Sequence, residues 1–596
     1  MARYAIVCKT ILHRILITSF STTQFKDLPN ELIYEIFNYL DFYHVYQSFY
    51  NLNFRFQSFF LDSTVPLKIN LFSMSKTTFH DYNEDIIIPN RQQIHVLRIS
   101  NYFMFDNHTF ALSYTTSLRT LIIENIRSIN VINILHQLIS LSNLSSLTIS
   151  TFDAIENIDF IYEQIFRLST LKYLKLSLKR NYPRNIIPIT INEYSSIEHL
   201  IIDHGVDFNE LTAILSCTSR LRHLAVLLWH KNDFRLISPC HILNYLTHVS
   251  LNLCSEIKFD DLKMFFINYS PFVQVLRVNV HEEYIDANKW KQLLSSSLPN
   301  LRIFDIHCEM GSQLVYFNRK NIEKQMNLFN SSFWTQRQWF FEYHLHLVDG
   351  FNHSIFRSTN PYRRKKYNLC NESIQVTNNN HFQTVFKSVD HVHIINEKAL
   401  NQSMFCFPYV NKLTLGWKLS IHSSTSIISK INRILPLKQI QILKIEYNRL
   451  GFQIMCELLS FMPNLRTLKL RSIIFEKIDK LSIEQNEIFQ LISKTNLIQH
   501  VILNEQCTLQ KLELLLKLVP RVQCLQLSIQ LDDMEMILEF LLNKNNKNTR
   551  HLVLLGFLSL EECYFRYLNQ LIRSKTFLYD FKITYADYDN VLYMWW

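Results

Sequence analysis

Glycine is nearly missing, with six in 596 residues, about 1 percent where folded proteins average ~7 percent. Gly205, Gly311, Gly350, Gly416, Gly451 and Gly556 are so scattered that no two could share one phosphate-cradling loop. That excludes the dinucleotide-binding GxGxxG, the P-loop and the GxSxG nucleophile elbow, which all need clustered glycines to bring backbone N–H groups near a ligand or to turn sharply. Cysteine is unpatterned: eleven are present, none in a CxxC pair, so zinc-ribbon and thioredoxin-type sites are absent. Unpaired cysteines of odd number suit a reducing, intracellular compartment, cytoplasmic and/or nuclear. Long apolar runs are also lacking; stretches such as residues 224–229 (LAVLLW) fall well short of the ~18 residues of a membrane span. Charge is balanced, with 61 Lys and Arg against 51 acids for a net +10, and lacks the dense basic stripe of a nucleic-acid binder. With 48% apolar and 19% charged residues, the composition is that of a folded chain. Its length allows about four domains or one long repeat array.

Residues 1–24 contain Arg3, Lys9 and Arg14, and no acid precedes Asp27. That pattern is compatible with a mitochondrial transit peptide or with a plain extension, and we take it as an extension. In residues 25–60, Asp27 can cap a helix that starts at Pro29. Leu32, Ile33, Ile36, Phe37 and Leu40 then form an apolar stripe at helical period. Asp41 and Asn53 can cap two further short helices. A unit of this size buries too little surface to stand alone, so part of its apolar face is expected to belong to a neighbour. Leu28, Pro29, Glu31, Leu32, Ile33, Ile36, Phe37, Tyr39 and Leu40 resemble the F-box motif position by position. His44-Val45 departs from it, where the family carries Asp-Leu. The resemblance implies docking on a Skp-type adaptor, and through it on a cullin, with Leu28, Pro29, Ile33, Ile36 and Leu40 as contacts.

From residue 94 onward the pattern L-x-x-L-x-L recurs, centred on Leu97, Leu121, Leu147, Leu174, Leu200, Leu224, Val249, Leu276 and Phe304. After a gap it resumes at Val392, Leu413, Leu443, Leu468, Val501, Leu525, Leu552 and Phe581. Outside the gap the interval is about 26 residues, within the leucine-rich-repeat range, and amphipathic helical stretches such as residues 130–142 lie between the marked segments. The chain thus resembles leucine-rich-repeat proteins, which implies strand-helix units stacked into an α/β solenoid or horseshoe, because one unit cannot bury its own apolar face. Within the gap, alternation in residues 333–348 and 353–359 around a DGFN turn predicts an antiparallel hairpin. Residues 361–367 (PYRRKKY) are basic and read as a solvated loop.

Side chains between the marked leucines should face away from the core onto the concave side of the sheet. That places His199, His223, His248, His391, His500 and His551 at one equivalent position, with Arg277, Lys444 and Lys469 nearby. We take His199, His223, His248, Arg277, Lys444 and Lys469 as candidate partner contacts, with the histidine row turning cationic below ~pH 6.5. No catalytic residue, cofactor site or metal-ligand set is assigned; HExxH is absent and no acid or cysteine joins the histidines at ligand spacing.

The expected organisation is α/β: an extension at 1–24, an all-α F-box-like module at 25–66 and a linker at 67–92. Leucine-rich repeats follow at 93–310 and 389–596, separated by an irregular insertion at 311–388. The expected function is non-catalytic substrate recognition in an SCF-type ubiquitin ligase. The partners are the Skp-type adaptor, its cullin and a target protein, with neither membrane nor nucleic acid involved. The alternative is an interaction scaffold without a ligase role, its helices capping the first repeat.

Overall fold

A computed structural model describes residues 28–38, 42–50, 52–61, 66–71, 74–100, 112, 115–180, 195–229, 242–254, 257–311, 319–348, 351–359, 362–369, 374–376, 385–403, 405–418, 424–446, 450–474, 484–530, 532–543, 545–558, 564–574, 581–586 and 591–596. The chain is mixed α/β, with two large, mainly parallel sheets. It divides into two compact units, Met1–Leu200 and Ile201–Trp596.

Among its described residues the first unit begins with three short helices, α1 (Asn30–Asn38), α2 (Phe42–Phe49) and α3 (Phe54–Leu61). Leu28, Ile33, Ile36 and Phe56 form its small interior, and the ring of Phe37 lies 5.2 Å from Phe49. Asn53 caps α3, accepting from the Phe56 N–H at 3.0 Å. Five parallel strands follow in sequence order: β1 (Leu67–Leu71), β2 (Ile94–Ile99), β3 (Thr120–Ile126), β4 (Ser146–Ile155) and β5 (Tyr173–Arg180). Leu97, Leu121, Leu147 and Leu174 share one register row, as the repeat pattern predicts. The segment 67–92, read as a linker, instead supplies β1, with Ile69 opposite Leu97, and the helix Lys76–Tyr82. Its strand LKINL alternates correctly but carries no leucine three residues ahead, so it escapes the repeat pattern.

The unit boundary falls inside β6 (His199–Val206). In the second unit β7 (His223–Leu228), β8 (His248–Leu253), β9 (Val275–Val280) and β10 (Ile303–Gly311) run parallel, with Leu224, Val249, Leu276 and Phe304 in one row. The expected hairpin follows as β11 (Phe340–Val348) and β12 (Phe351–Thr359). Its first part departs from expectation, because Ser332–Thr335 is a helical turn. β12 lies antiparallel against β10, with His307 opposite Arg357, so the hairpin reverses the strand direction there.

β13 (Lys366–Leu369) and β14 (Ile374–Val376) come next; β14 extends the hairpin from β11. β13 starts a second parallel run with β15 (His391–Asn396), β16 (Lys412–Lys418), β17 (Ile442–Ile445), β18 (Thr467–Leu470), β19 (His500–Gln506), β20 (Cys524–Ser528) and β21 (Leu554–Leu558). Gly416 is required in β16, since a Cβ there would lie 2.9 Å from the Ile394 carbonyl oxygen. Two expected repeat centres are displaced. Leu525 pairs with Leu555, so Leu552 and His551 precede the strand. The strand expected around Phe581 is β22 (Lys582–Ala586), which runs antiparallel to β23 (Val591–Trp595). An alternating pattern reports which face is buried and is silent on the direction of the neighbouring strand.

Among the described residues no helix is long and apolar enough to cross a membrane. Cys217, Cys308, Cys456, Cys507 and Cys524 are buried and free.

Candidate partner-binding surfaces

The Leu-Pro corner is built by α1 and α3 together. The Arg55 guanidinium donates to the Leu28 carbonyl at 2.5 Å and to Asn30 Oδ1 at 3.0 Å, which holds the start of α3 against the start of α1. Of the five expected contacts, Leu28 (7% exposed), Ile33 (0%) and Ile36 (7%) are interior to the helix cluster. Phe56, more than twenty residues on, covers them. Pro29 is exposed, and Leu40 lies outside the described residues. What the corner does expose is Phe54 at 84%, with Leu32 and Leu52 also on the surface. Phe54 is the first residue of α3 and lies outside that interior. One side of the cluster is closed by its own unit: Tyr43 of α2 meets Tyr82 edge-on, 5.0 Å between centroids.

The strand face is distributed over both units. In the first, His199 is half-buried with its ring 6.4 Å from Tyr173. In the second, His223 and His248 occupy one register position and their imidazoles stack at 4.1 Å, as the shared repeat position predicts. Arg277 is 4.0 Å from Asp305. Asp305 is also held by Arg364 at 3.2 Å, and Arg364 reaches Asn279 at 2.5 Å. The basic segment 361–367 is therefore more than a solvated loop among its described residues: Tyr362 and Tyr367 are buried, Arg364 is anchored, and Lys365 and Lys366 face solvent.

On the second sheet Lys444 donates to Glu446 at 2.6 Å and lies in register with Lys469. Glu446 also lies 3.4 Å from His393. The nearby His393 imidazole and then the Lys444 ammonium outweigh burial and hold the Glu446 carboxyl down at about 2. Burial and then Lys444 and Lys412 lower the Lys469 ammonium. The expected protonation near pH 6.5 fails at three histidines of the row, with His551 lowered by burial and then by Arg550 and Arg521. His391, 2.9 Å from Thr414 Oγ1, is pushed down to about 4 by burial, then by Lys412 and Lys366. His500 is pushed to about 4 by burial and then Lys469.

These two imidazoles stay neutral in the folded chain to about pH 4 but charge below 6.5 once unfolded. Each then takes up a proton on unfolding, so stability is full above pH 6.5 and falls as the pH drops toward 4. We expect His500→Gln to flatten that slope by at most ~1.4 kcal/mol per pH unit, read from urea unfolding across the range; an unchanged slope would refute it.

Among the described residues no group of three or more His, Cys, Asp and Glu is placed to hold a metal ion. The most tightly associated ionisable groups, Glu342, His344 and Arg357, are all buried and present no atom to a substrate. The surfaces present an apolar corner at Leu32, Leu52 and Phe54 and a strand face bearing Lys412, Lys444 and Lys469. Compared with known proteins, the sequence matches no family model and no curated protein.

Proposed function

We propose that the chain is a substrate-recognition adaptor of an SCF-type ubiquitin ligase, acting in the cytoplasm and/or nucleus. Residues 25–66 serve as an F-box module that docks a Skp-type adaptor and through it a cullin. The strand-helix units form a leucine-rich-repeat solenoid whose strand face holds the target protein, and the chemistry of ubiquitin transfer belongs to other subunits. The observation that carries this reading is Phe54, 84% exposed, beside the motif-bearing Leu28-Pro29 corner that Arg55 fastens to α3. An aromatic side chain of that size in water is a natural interface anchor.

The test uses surface residues, since truncating Leu28 or Ile33 would hollow the interior. Pro29→Ala with Phe54→Ala should cut recovery of the Skp adaptor with the full chain by roughly 30-fold, the equivalent of one anchor worth ~2 kcal/mol. Circular dichroism should be unchanged. Undiminished recovery would overturn the proposal.

The second reading, a scaffold whose helices merely cap the first strands, draws on the contact of Tyr43 with Tyr82. Recovery of the Skp adaptor without any cullin would favour it.

A further inference from the structure

Six neighbouring strands of the second sheet, from β13 to β19, carry four lysines, Lys366, Lys412, Lys444 and Lys469, on one face, with the neutral imidazoles of His391 and His500 between and beside them. Lys366 and His391 are opposite one another, as are His391 and Lys412. Lys444 and Lys469 are opposite one another two strands further on, and Thr467 opposes His500. Burial first, then Lys412, Lys366 and Lys444, hold His391 down; burial and then Lys444 and Lys412 lower Lys469; and burial and then Lys469 lower His500. Like charges directly across adjacent strands repel, and backbones about 4.8 Å apart keep them close. The carboxylates beside this face are already engaged: Glu446 by Lys444 and His393, Glu309 by His307 and Asn368, and Asp390 by Lys365 at 3.8 Å. Lys412 and Lys469 have no acidic partner among the described residues.

We infer that this strand face, from β15 to β19, binds an acidic, extended segment of a partner polypeptide whose carboxylates lie against Lys412 and Lys469. The inference deepens the target-binding role proposed above and rests on it for the identity of the partner as a target. Charge complementarity selects an acidic occupant. The remaining face residues select a polypeptide over single-stranded nucleic acid. Between the lysines lie the half-buried Ile442, Thr467 and Ile502, which suit side-chain contacts. No phenylalanine, tyrosine or tryptophan stands in these two rows on β15 to β19 to stack a base.

The full chain should bind a fluorescein-labelled peptide of alternating Glu and Ser and not its Gln and Ser counterpart, with an affinity that falls as salt rises. Lys412→Gln with Lys469→Gln should weaken that binding by about tenfold or more, with an unchanged circular dichroism spectrum. A matched pair, Lys289→Gln with Lys291→Gln on the helix Ala287–Ser297, should leave it unchanged. Three results would overturn the inference: no binding of the acidic peptide, equal loss in both double variants, or tighter binding of an oligouridylate of equal charge. Recovery of the Skp adaptor is read separately, so this face can fail while the adaptor role stands, and the reverse.

Discussion

Replacing Arg357 by alanine is expected to lower the unfolding free energy by about 3–5 kcal/mol, measured by urea unfolding followed by circular dichroism. Arg357 is 0% exposed. Its Nε donates to Glu342 Oε1 across the hairpin, and its guanidinium lies 4.0 Å from the centroid of Tyr367 and 5.4 Å from that of Tyr362. His344 Nε2 is 3.3 Å from the same Glu342 oxygen. Burial opposes ionisation of Glu342, yet Arg357 and then His344 outweigh it and keep the carboxyl well below the usual range. Removing the guanidinium strands a carboxylate out of water, and that uncompensated charge dominates the loss. Replacing both partners together, Glu342→Leu with Arg357→Met, should therefore cost less than Arg357→Ala alone. A single-variant loss below ~1 kcal/mol, the size of an exposed ion pair, would refute the argument. Because the Glu342 pKa is depressed, its contribution is complete above its unfolded value near 4.5 and disappears as pH falls toward the folded value.

The location of this network explains its burial. In the hairpin, Glu342, His344, Ile355 and Arg357 point to one side, while Phe341, Tyr343 and Phe356 point to the other, as strand alternation requires. On the first side Ile355 meets Ile395 of β15, and Asn368 of β13 donates to Glu309 of β10 at 2.9 Å. The start of the second sheet thus lies over a polar face that the sequence presents as if it were open. Alternation says which residues share a face and says nothing about what later covers it. The same gap separates expectation from structure at Ile33, which a helical stripe marks as apolar and which Leu28, Ile36 and Phe56 enclose.

The repeat rows were legible where one leucine per unit must fill one place between stacked neighbours: Leu97, Leu121, Leu147 and Leu174 share a row as expected. The row failed at the chain's far end, where Leu555 rather than Leu552 lies opposite Leu525. His551 consequently sits outside the strand and contributes nothing to that face. The titration of His391 and His500 was beyond the pattern for another reason. Their pKa values are lowered first by burial and then by lysines that are remote along the chain and adjacent only across the ladder, neither of which the pattern reports.

Trp334→Ala is expected to cost about 3–5 kcal/mol, the range for truncating a large buried aromatic side chain. The irregular segment lacks the repeated leucines, and aromatic rings fill its core in their place. Trp334 is 0% exposed, with Phe329 at 5.0 Å, Phe333 at 4.9 Å, Phe341 at 5.4 Å and Phe304 at 5.9 Å between centroids. It is carried by a single helical turn, its N–H donating to the Ser331 carbonyl at 3.0 Å while its own carbonyl accepts from the Trp339 N–H at 3.1 Å. Gln338 adopts a left-handed φ of 56° just before the strand, a conformation side-chain-bearing residues adopt at a cost. So short a turn has little stability of its own, and ring packing must hold it in place. Trp334→Phe keeps most of that packing and should lose less than half as much. If the argument holds, amide exchange in β11 over Phe341–His344 will accelerate more in Trp334→Ala than exchange in β17, because the hairpin rests on this layer and β17 does not. Equal acceleration in both strands would mean that the ring cluster stabilises the second unit as a whole and that the hairpin has no local dependence on it.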